Sequence, residues 1–305
     1  MVEQEPNFSR IGETMRALAM RASIEMSARE LRKPGDVAVA LLRGRETFLP
    51  WTPNLTADAM VEATSSARSL GLTPVPHVLA RRLGSEAAAQ SLLARLAGAG
   101  AQTVLLVGGD VADPAGPYRS SFDLLRTGLL QRAGFRKIGV AGYPEGHPAM
   151  DDSIIRDNLD LKLDYARSEG LEVFIVSQFC FDGSAIVEWA KRLRVRGVTA
   201  QIRVGVAGPT NLAKLLELGL RCGVGNSIRA LKGKMGSVAR LLAPHEPQEV
   251  IEVIATACME APSPDALSLH LFAFGGAGMT AQWMERIAKR SIDLDSARSG
   301  VRAGG

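Results

Sequence analysis

The sequence has few of the residues that mark specialised classes of protein. Its three cysteines, Cys180, Cys222 and Cys258, are odd in number and form no Cys-x-x-Cys pair, which argues against a disulfide framework or a zinc site. Aromatic residues make up only 5% of the chain, and the net charge is only +4. A nucleic-acid-binding protein more often has a concentrated basic stripe and exposed aromatics, so no nucleic-acid partner is expected.

Long apolar runs are also missing. The longest runs have the length of a strand, as at 104–107, whereas a membrane-spanning helix needs about 20 apolar residues. The first ten residues are polar and include Glu3 and Glu5, unlike a secretory signal. These absences predict a cytoplasmic protein without a membrane segment. Its 305 residues, 46% of them hydrophobic, are enough for one large barrel or two mid-sized domains.

Short β-rich runs alternate along the chain with longer amphipathic segments. Eight runs are predicted as strands: Ala22–Met26, Val37–Leu42, Thr73–His77, Thr103–Val107, Lys137–Ala141, Glu172–Gln178, Gln201–Val206 and Ser268–Phe274. Apolar residues at helical spacing predict helices between them: Ala57–Leu70, Ser85–Ala99, Ile154–Ser168, Gly183–Arg196, Asn211–Leu220 and Pro247–Met259. Such alternation predicts parallel strands joined by helical crossovers.

A closed (β/α)8 barrel accommodates eight such repeats in a chain of this length. The alternative, an open doubly wound sheet, usually has a Gly-x-Gly-x-x-Gly sequence after its first strand, but Ser27-Ala28-Arg29-Glu30 stands there. We therefore predict an α/β fold with a single TIM barrel over residues 22–290. An N-terminal helical extension over 1–21, with a helix at Phe8–Leu18, precedes the barrel, and a flexible tail over 291–305 follows it.

Polar residues follow several predicted strands, where the active sites of TIM barrels lie. They are Glu25, His77, Gly109, Asp110, Tyr143, His147, Gln178 and Cys180. Each also has a structural explanation, such as an ion pair for Glu25, a turn or helix cap for Asp110 and core packing for Cys180. The combination at one rim favours a functional site. No Ser-His-Asp order or metal-ligand cluster is evident in the sequence, so hydrolysis is not favoured.

A glycine-containing segment near the seventh strand has two interpretations. Gly223-Val224-Gly225 is followed by Asn226 and Ser227, and backbone amides at a helix start there could bind a phosphate. A helix C-cap followed by a new N-cap explains the same letters and is favoured. The cations that follow, Arg229, Lys232 and Lys234, would attract an anionic tail or form a solvated face.

One segment is specific enough to suggest a family. Val140-Ala141-Gly142-Tyr143-Pro144-Glu145-Gly146-His147-Pro148 is followed by Val176-Ser177-Gln178-Phe179-Cys180-Phe181-Asp182 and preceded by Ser23-Ile24-Glu25, Pro76-His77 and Gly109-Asp110. Over residues 22–208 the chain resembles the methylenetetrahydrofolate reductase family. The resemblance implies hydride transfer from NADH or NADPH through FAD to 5,10-methylenetetrahydrofolate, giving 5-methyltetrahydrofolate for one-carbon metabolism and methionine biosynthesis.

The resemblance also implies roles for individual residues. Glu25 matches the general acid that protonates the bridging nitrogen of the folate, Asp110 matches an aspartate near pterin and flavin, and Gln178 matches a glutamine that orients the folate. Phe181 is a further implied substrate contact. Cofactor contacts are implied for His77, Gly109, Asp110, Tyr143, His147, Asp157 and Lys162, of which Asp157 and Lys162 are the nearest matches to an aspartate and a lysine on the helix after His147.

The sequence departs from the family pattern in several places, among them the spacing of Asp157 and Lys162 and the Phe274-Gly275-Gly276 segment after the eighth strand. Gly108 stands where the family often has arginine, and the predicted second strand, Val37–Leu42, lacks the usual threonine near its end. The Ser177-Gln178-Phe179-Cys180-Phe181-Asp182 segment and the turns Gly205-Val206-Ala207-Gly208 and Gly223-Val224-Gly225 resemble a divergent branch of the family. Some members of that branch work without tightly held FAD, so hydride would pass through FAD or directly from the nicotinamide.

Two functions of other kinds are considered beside the reductase. One is a folate- or flavin-binding barrel without redox turnover. The other is a lyase or aldolase, for which neither a Schiff-base lysine nor a metal set is found. The coenzyme preference, the direction of the reaction, and a monomer or homo-oligomer stay open.

Overall fold

The computed structural model describes residues 5–222, 224, 244–260 and 267–302. Its strands, in chain order from β1 to β10, are Ser23–Glu25, Glu46–Leu49, Thr73–Leu79, Thr103–Val107, Lys137–Gly142, Glu172–Ser177, Gln201–Ala207, Thr210–Asn211, Pro244–His245 and Leu267–Phe272. Within the described residues, eight parallel strands close into a barrel in the order β1-β10-β7-β6-β5-β4-β3-β2. The two short strands β8 and β9 pair antiparallel outside it. The predicted (β/α)8 TIM barrel is confirmed.

Helices cover the outside of the barrel. From α1 to α12 they are Glu5–Arg21, Ala28–Arg32, Asp36–Leu42, Ala57–Ser69, Glu86–Gly98, Ser121–Leu125, Leu129–Arg132, Asp152–Ser168, Gly183–Val195, Leu212–Cys222, Gln248–Glu260 and Ala277–Arg302. None of the described helices is both long and apolar enough to cross a membrane. The main apolar core lies between these helices and the outer faces of the strands.

The ends of the chain bear on the predicted domain boundaries. Helix α1 precedes the barrel and packs on α11 and α12. Helix α12 continues to Arg302, through most of the segment assigned to a tail. The boundaries at residues 21 and 290 stay predictions. The phosphate-site candidate with Gly223, Gly225, Asn226 and Ser227, and the cations Arg229, Lys232 and Lys234, lie outside the described residues.

The predicted second strand is wrong. Val37–Leu42 lies in helix α3, in which Ala38 and Leu42 are buried whereas Val37 is 55% exposed. Burial at positions i and i+4 is the pattern of a helix face, and a short apolar run cannot be assigned to strand or helix from periodicity alone. The true second strand is Glu46–Leu49, four residues long.

The departure predicted at the end of the second strand refers to Val37–Leu42, which is a helix. The true strand β2 contains Thr47, which is buried, and it leads to Thr52 in the loop at the barrel mouth.

The inside of the barrel is filled by alternate residues of the strands. Near the N-terminal ends, Arg203 of β7 lies with Nη1 2.6 Å from Oε2 of Glu46 on β2. The middle is an apolar cluster that includes Phe48 and Phe174, and the Arg203 guanidinium lies over the Phe174 ring at 3.7 Å. Polar groups therefore lie below the apolar cluster as well as above it, at the C-terminal mouth.

Candidate active site

A cavity of about 550 Å³ opens at the C-terminal ends of β3 to β6. This volume is in the ordinary range for a small-molecule site. Among the residues that line it are most of the cofactor and substrate contacts that the sequence suggested: His77, Gly109, Asp110, Tyr143, His147, Lys162 and Gln178. Residues from separate strands therefore meet in one cavity, as expected of a TIM barrel.

Glu25, at the end of β1, lies beside this cavity between two imidazoles. Its Oε1 is 3.8 Å from Nε2 of His77 and 3.8 Å from Nε2 of His270. Burial raises the pKa of Glu25 to about 6, while the nearby His77 lowers it and Glu30 raises it. A carboxyl group with this pKa can hold and release a proton near neutral pH, as a general acid or base must.

The two imidazoles are buried and neutral. Burial lowers the pKa of His77 to about 4, against the opposing effect of Glu25. Burial lowers the pKa of His270 to about 3, and the charge of Arg203 lowers it further. Since neither ring takes up a proton near neutral pH, neither gives Glu25 a cationic partner.

The sequence reasoning did not single out His270. Its Nδ1 lies 2.9 Å from the hydroxyl of Ser23, the residue paired with it across β1 and β10. The alternation of Ser268, His270 and Phe272 on one strand face could have placed it inside the barrel. His270 lies before the end of its strand, and polar residues at the ends of strands were the signal used to predict the site.

Asp110 lies on the rim of the cavity, after β4. Its side chain is 69% exposed, and Oδ1 is 3.3 Å from Nη2 of Arg82. Arg82 also donates a hydrogen bond from Nη1 to the carbonyl of Thr52, at 2.8 Å. One arginine thus connects the loops that follow β2 and β4. The neighbouring Gly109 has φ +101°, a conformation that favours glycine.

Tyr143 and His147 form one wall of the cavity, in the loop after β5. Their ring centroids are 5.1 Å apart in an edge-to-face arrangement. His147 Nδ1 accepts a hydrogen bond from the backbone N–H of Ala149 at 3.1 Å. Burial raises the pKa of Tyr143 and lowers that of His147, so both side chains are kept neutral.

Helix α8 brings Lys162 to the cavity but not Asp157. Lys162 is 8% exposed, and burial lowers its pKa to about 8. Asp157 is 68% exposed in its side chain and pairs with Arg156 at 3.5 Å. Asn158 lines the cavity instead; it is on the inner side of the helix and was not recognised in the sequence.

Gln178 and Phe181 are on different sides of the mouth. The side-chain Oε1 of Gln178 accepts a hydrogen bond from the backbone N–H of Phe179, at 3.0 Å, which leaves the amide NH2 as the donor for a ligand. Phe181 is not on the cavity wall; it lies 5.5 Å from the Phe179 ring, in an aromatic group with Phe272 and Phe274. Cys180 is buried and donates to Oε1 of Glu145.

The cavity has features that suit an anionic dinucleotide. Lys162 has no ion-pair partner among the residues that the structure describes. Arg81, on the same wall, has a buried Nε without a hydrogen-bond partner there. The diphosphate of a flavin or nicotinamide dinucleotide would satisfy both groups. In the described part of the chain, no group of three His, Cys, Asp or Glu residues could hold a metal ion.

Comparisons with known proteins point to one family. The family model described as methylenetetrahydrofolate reductase matches residues 52–225. A relative from Saccharomyces cerevisiae, methylenetetrahydrofolate reductase 2, is 27% identical over 125 residues, which cover 39% of this chain and 20% of the yeast protein. The match thus spans about a fifth of that relative's length.

A solved structure from Burkholderia cenocepacia J2315, described as a lyase/mutase, is 16% identical and has a TM-score of 0.43. The superposition covers 97% of this chain and 90% of the other. At that level the likeness bears on neither fold nor function.

Proposed function

This chain belongs to the methylenetetrahydrofolate reductase family, and from that premise we propose that it interconverts 5,10-methylenetetrahydrofolate and 5-methyltetrahydrofolate with NAD(P)H. The observation that carries the proposal is the buried carboxyl of Glu25 at the barrel mouth, with a pKa of about 6. A protein that only binds folate has no need of a proton donor there.

Glu25 acts on the folate. In the forward direction its proton goes to the bridging nitrogen, so that the methylene bridge opens to an iminium cation; in the reverse direction the carboxylate takes that proton back. His77 and His270 stay neutral on either side, and they leave the proton to Glu25. The burial of Glu25 favours the protonated form that the forward reaction needs.

The other residues orient the substrate and stabilise charge. The negative charge of Asp110 on the rim stabilises the iminium cation, and Arg82 holds that carboxylate in place at 3.3 Å. The amide NH2 of Gln178 donates to an acceptor on the pterin edge. The partly exposed ring of Phe181, which packs on the buried ring of Phe179, offers an apolar surface for the rest of the folate.

A dinucleotide would be held by other residues that line the same cavity. His77, Gly109, Tyr143, His147 and Lys162 line the cavity, and the ammonium of Lys162 would pair with a phosphate. When bound, the nicotinamide supplies the hydride, through a flavin or directly to the folate.

Turnover and absorbance measured on the same preparation test this proposal. The purified protein, with methylenetetrahydrofolate and NADH or NADPH, is expected to oxidise the coenzyme, with and without added FAD. Glu25→Gln should lower kcat by about a hundredfold or more, the usual contribution of a general acid. Glu188→Gln, at a surface carboxylate that is 62% exposed, is the control and should leave kcat unchanged.

The outcomes separate the alternatives. A flavin spectrum that bleaches with NADH and recovers with the folate would support transfer through FAD, and a colourless protein that still oxidises NADH would support direct transfer. Folate binding with no coenzyme oxidation in either direction would replace the proposal with the binding-protein function. Near-wild-type turnover by Glu25→Gln would remove Glu25 from the mechanism.

A further inference from the structure

A column of polar groups continues from the active site down into the barrel. Glu25 Oε1 is 3.8 Å from His270 Nε2. One layer below His270, on the neighbouring strand β7, is Arg203, which is 4% exposed. Arg203 in turn lies 2.6 Å from Glu46. The proposed mechanism uses only the top of this column.

A proton held by Glu25 and His270 has two possible positions. It is on the carboxyl, beside a neutral ring, or it has moved to Nε2, giving a carboxylate beside an imidazolium. No other bond changes between these two states. Only the first state has a proton donor at the mouth, while the second locks Glu25 in an ion pair.

The Ser23 hydroxyl bears on which ring nitrogen of His270 is open. With its Oγ donating to the carbonyl of Leu269 at 3.4 Å, the hydroxyl would accept the proton on Nδ1, 2.9 Å away. Nε2 is then the basic nitrogen, and it has no hydrogen-bond partner in the described residues. The orientation of His270 alone would therefore favour capture of the Glu25 proton.

We infer that Arg203 is a positioning residue that acts through His270 to keep this proton on Glu25. The inference rests on the proposed role of Glu25. Its physical basis is charge: a guanidinium stays charged in proteins. An imidazolium at His270, two residues beyond Ser268, with which Arg203 pairs across β10 and β7, would put two like charges in a dry interior. Phe48, with its ring 4.5 Å from His270 and 5.7 Å from Arg203, supplies that dry surrounding.

Other charged or titratable groups face the column from each packed strand or helix. Glu46 on β2 opposes Arg203 and raises the pKa of His270, but by less than Arg203 lowers it. His77 on β3 lies on the other side of Glu25 and is neutral. Glu30 on α2 raises the pKa of Glu25. None of these groups would replace Arg203 as the cation beneath His270.

A structural role for the buried ion pair makes a different prediction. If Arg203 and Glu46 only fill the barrel, the proton on Glu25 is indifferent to them. If Arg203 acts on Glu25 directly through its field, removing a positive charge raises the pKa of Glu25. If Arg203 acts through His270, removing its charge allows His270 to become an imidazolium, and the pKa of Glu25 falls. The sign of the shift therefore identifies the route.

The experiment is a carbon-13 NMR titration of the Glu25 carboxyl, assigned by its loss in Glu25→Gln. The double variant Arg203→Met with Glu46→Gln removes both charges together, so neither is left unpaired. We expect the Glu25 midpoint to fall by about one pH unit or more. The alkaline limb of kcat should move down with it. With His270→Gln added, the fall should disappear, because no imidazolium can form.

Two results would overturn the inference: a midpoint that stays or rises in the double variant, or an equal fall when His270 is glutamine. Should the double variant fail to fold, nitrogen-15 NMR of His270 in the unmodified protein decides instead. We expect a neutral ring with the proton on Nδ1 down to pH 5, and an imidazolium at pH 6 would refute the inference. These signals need no turnover, so an enzyme without reductase activity would refute the proposed function and still report on this proton.

Discussion

The proposed dinucleotide site depends most on Lys162, because the amine is buried and pairs with no carboxylate in the part of the chain that the structure describes. Burial that lowers its pKa to about 8 costs stability unless an anion binds there. The sequence placed this lysine on the right helix through the family resemblance. It missed Asn158 and favoured Asp157, since the face that a helix turns to a cavity depends on packing.

Replacing Lys162 should weaken dinucleotide binding. A charge-assisted hydrogen bond contributes about 1.5–3 kcal/mol, so Lys162→Gln is expected to raise the Kd for NADH about tenfold or more, measured by calorimetry at pH 7. The affinity of the unmodified protein should fall as the pH rises through about 8, because the ammonium loses its proton, whereas the variant should show no such fall.

Lys191→Gln is the matched control, since Lys191 is on α9, 61% exposed and paired with Glu188. Its Kd should equal that of the unmodified protein. Equal NADH affinity in Lys162→Gln and the unmodified protein would show that this amine does not bind the coenzyme.

At the scale of strands and helices, the sequence predicts the position of every described strand that is longer than four residues. β4, at Thr103–Val107, has the predicted bounds, because its apolar residues are buried on both faces. β2 failed, since Glu46 and Thr47 interrupt its apolar pattern and the polar Glu46 is needed inside the barrel for Arg203. That pairing joins β2 to β7 across the barrel, and no local pattern reveals it.

The packing of neighbouring side chains against β5 depends on a glycine. A Cβ on Gly139 would lie 2.7 Å from Cε2 of Phe174 and 2.9 Å from Cδ1 of Leu105, both inside the barrel. Gly139→Ala is therefore expected to lower the free energy of unfolding by about 1–3 kcal/mol through overpacking, measured by urea denaturation.

The control is Gly12→Ala in α1, where a new Cβ has no neighbour within 4 Å. There alanine should stabilise the helix by about 0.5–1 kcal/mol. A Gly139→Ala protein as stable as the unmodified one would mean that Phe174 moves aside easily and that the interior is not tightly packed.

At the scale of the whole molecule, the buried groups of the active site make stability depend on pH. The unfolded chain protonates His77 and His270 near their ordinary pKa of 6.5, while the fold keeps both neutral until about 4 and 3. Their contribution is present above pH 6.5 and is lost as the pH falls. Glu25 opposes them, because its pKa is about 6 in the fold and 4.5 when unfolded.

Between pH 6 and 4.5, these three groups together should therefore bind about one more proton in the unfolded chain than in the folded protein. Because of these groups, the free energy of unfolding is expected to fall by about 1.4 kcal/mol for each unit by which the pH falls. In Glu25→Gln the opposing carboxyl is gone, so this slope should about double. Urea denaturation at several pH values measures both slopes, and equal slopes would show that Glu25 does not hold a proton in the folded protein.

The closure of the barrel by β1 and β10 has a consequence for synthesis on the ribosome. Ser23 and His270, paired across that seam, are among the residues of the chain farthest apart in sequence. During synthesis, one edge of β1 stays unpaired until β10 has been made, and an unpaired strand edge can pair with a wrong strand. The proton-holding group around Glu25 comes into existence only when β10 arrives. A nascent chain therefore completes the group around Glu25 late, in the same step in which β10 pairs with the free edge of β1.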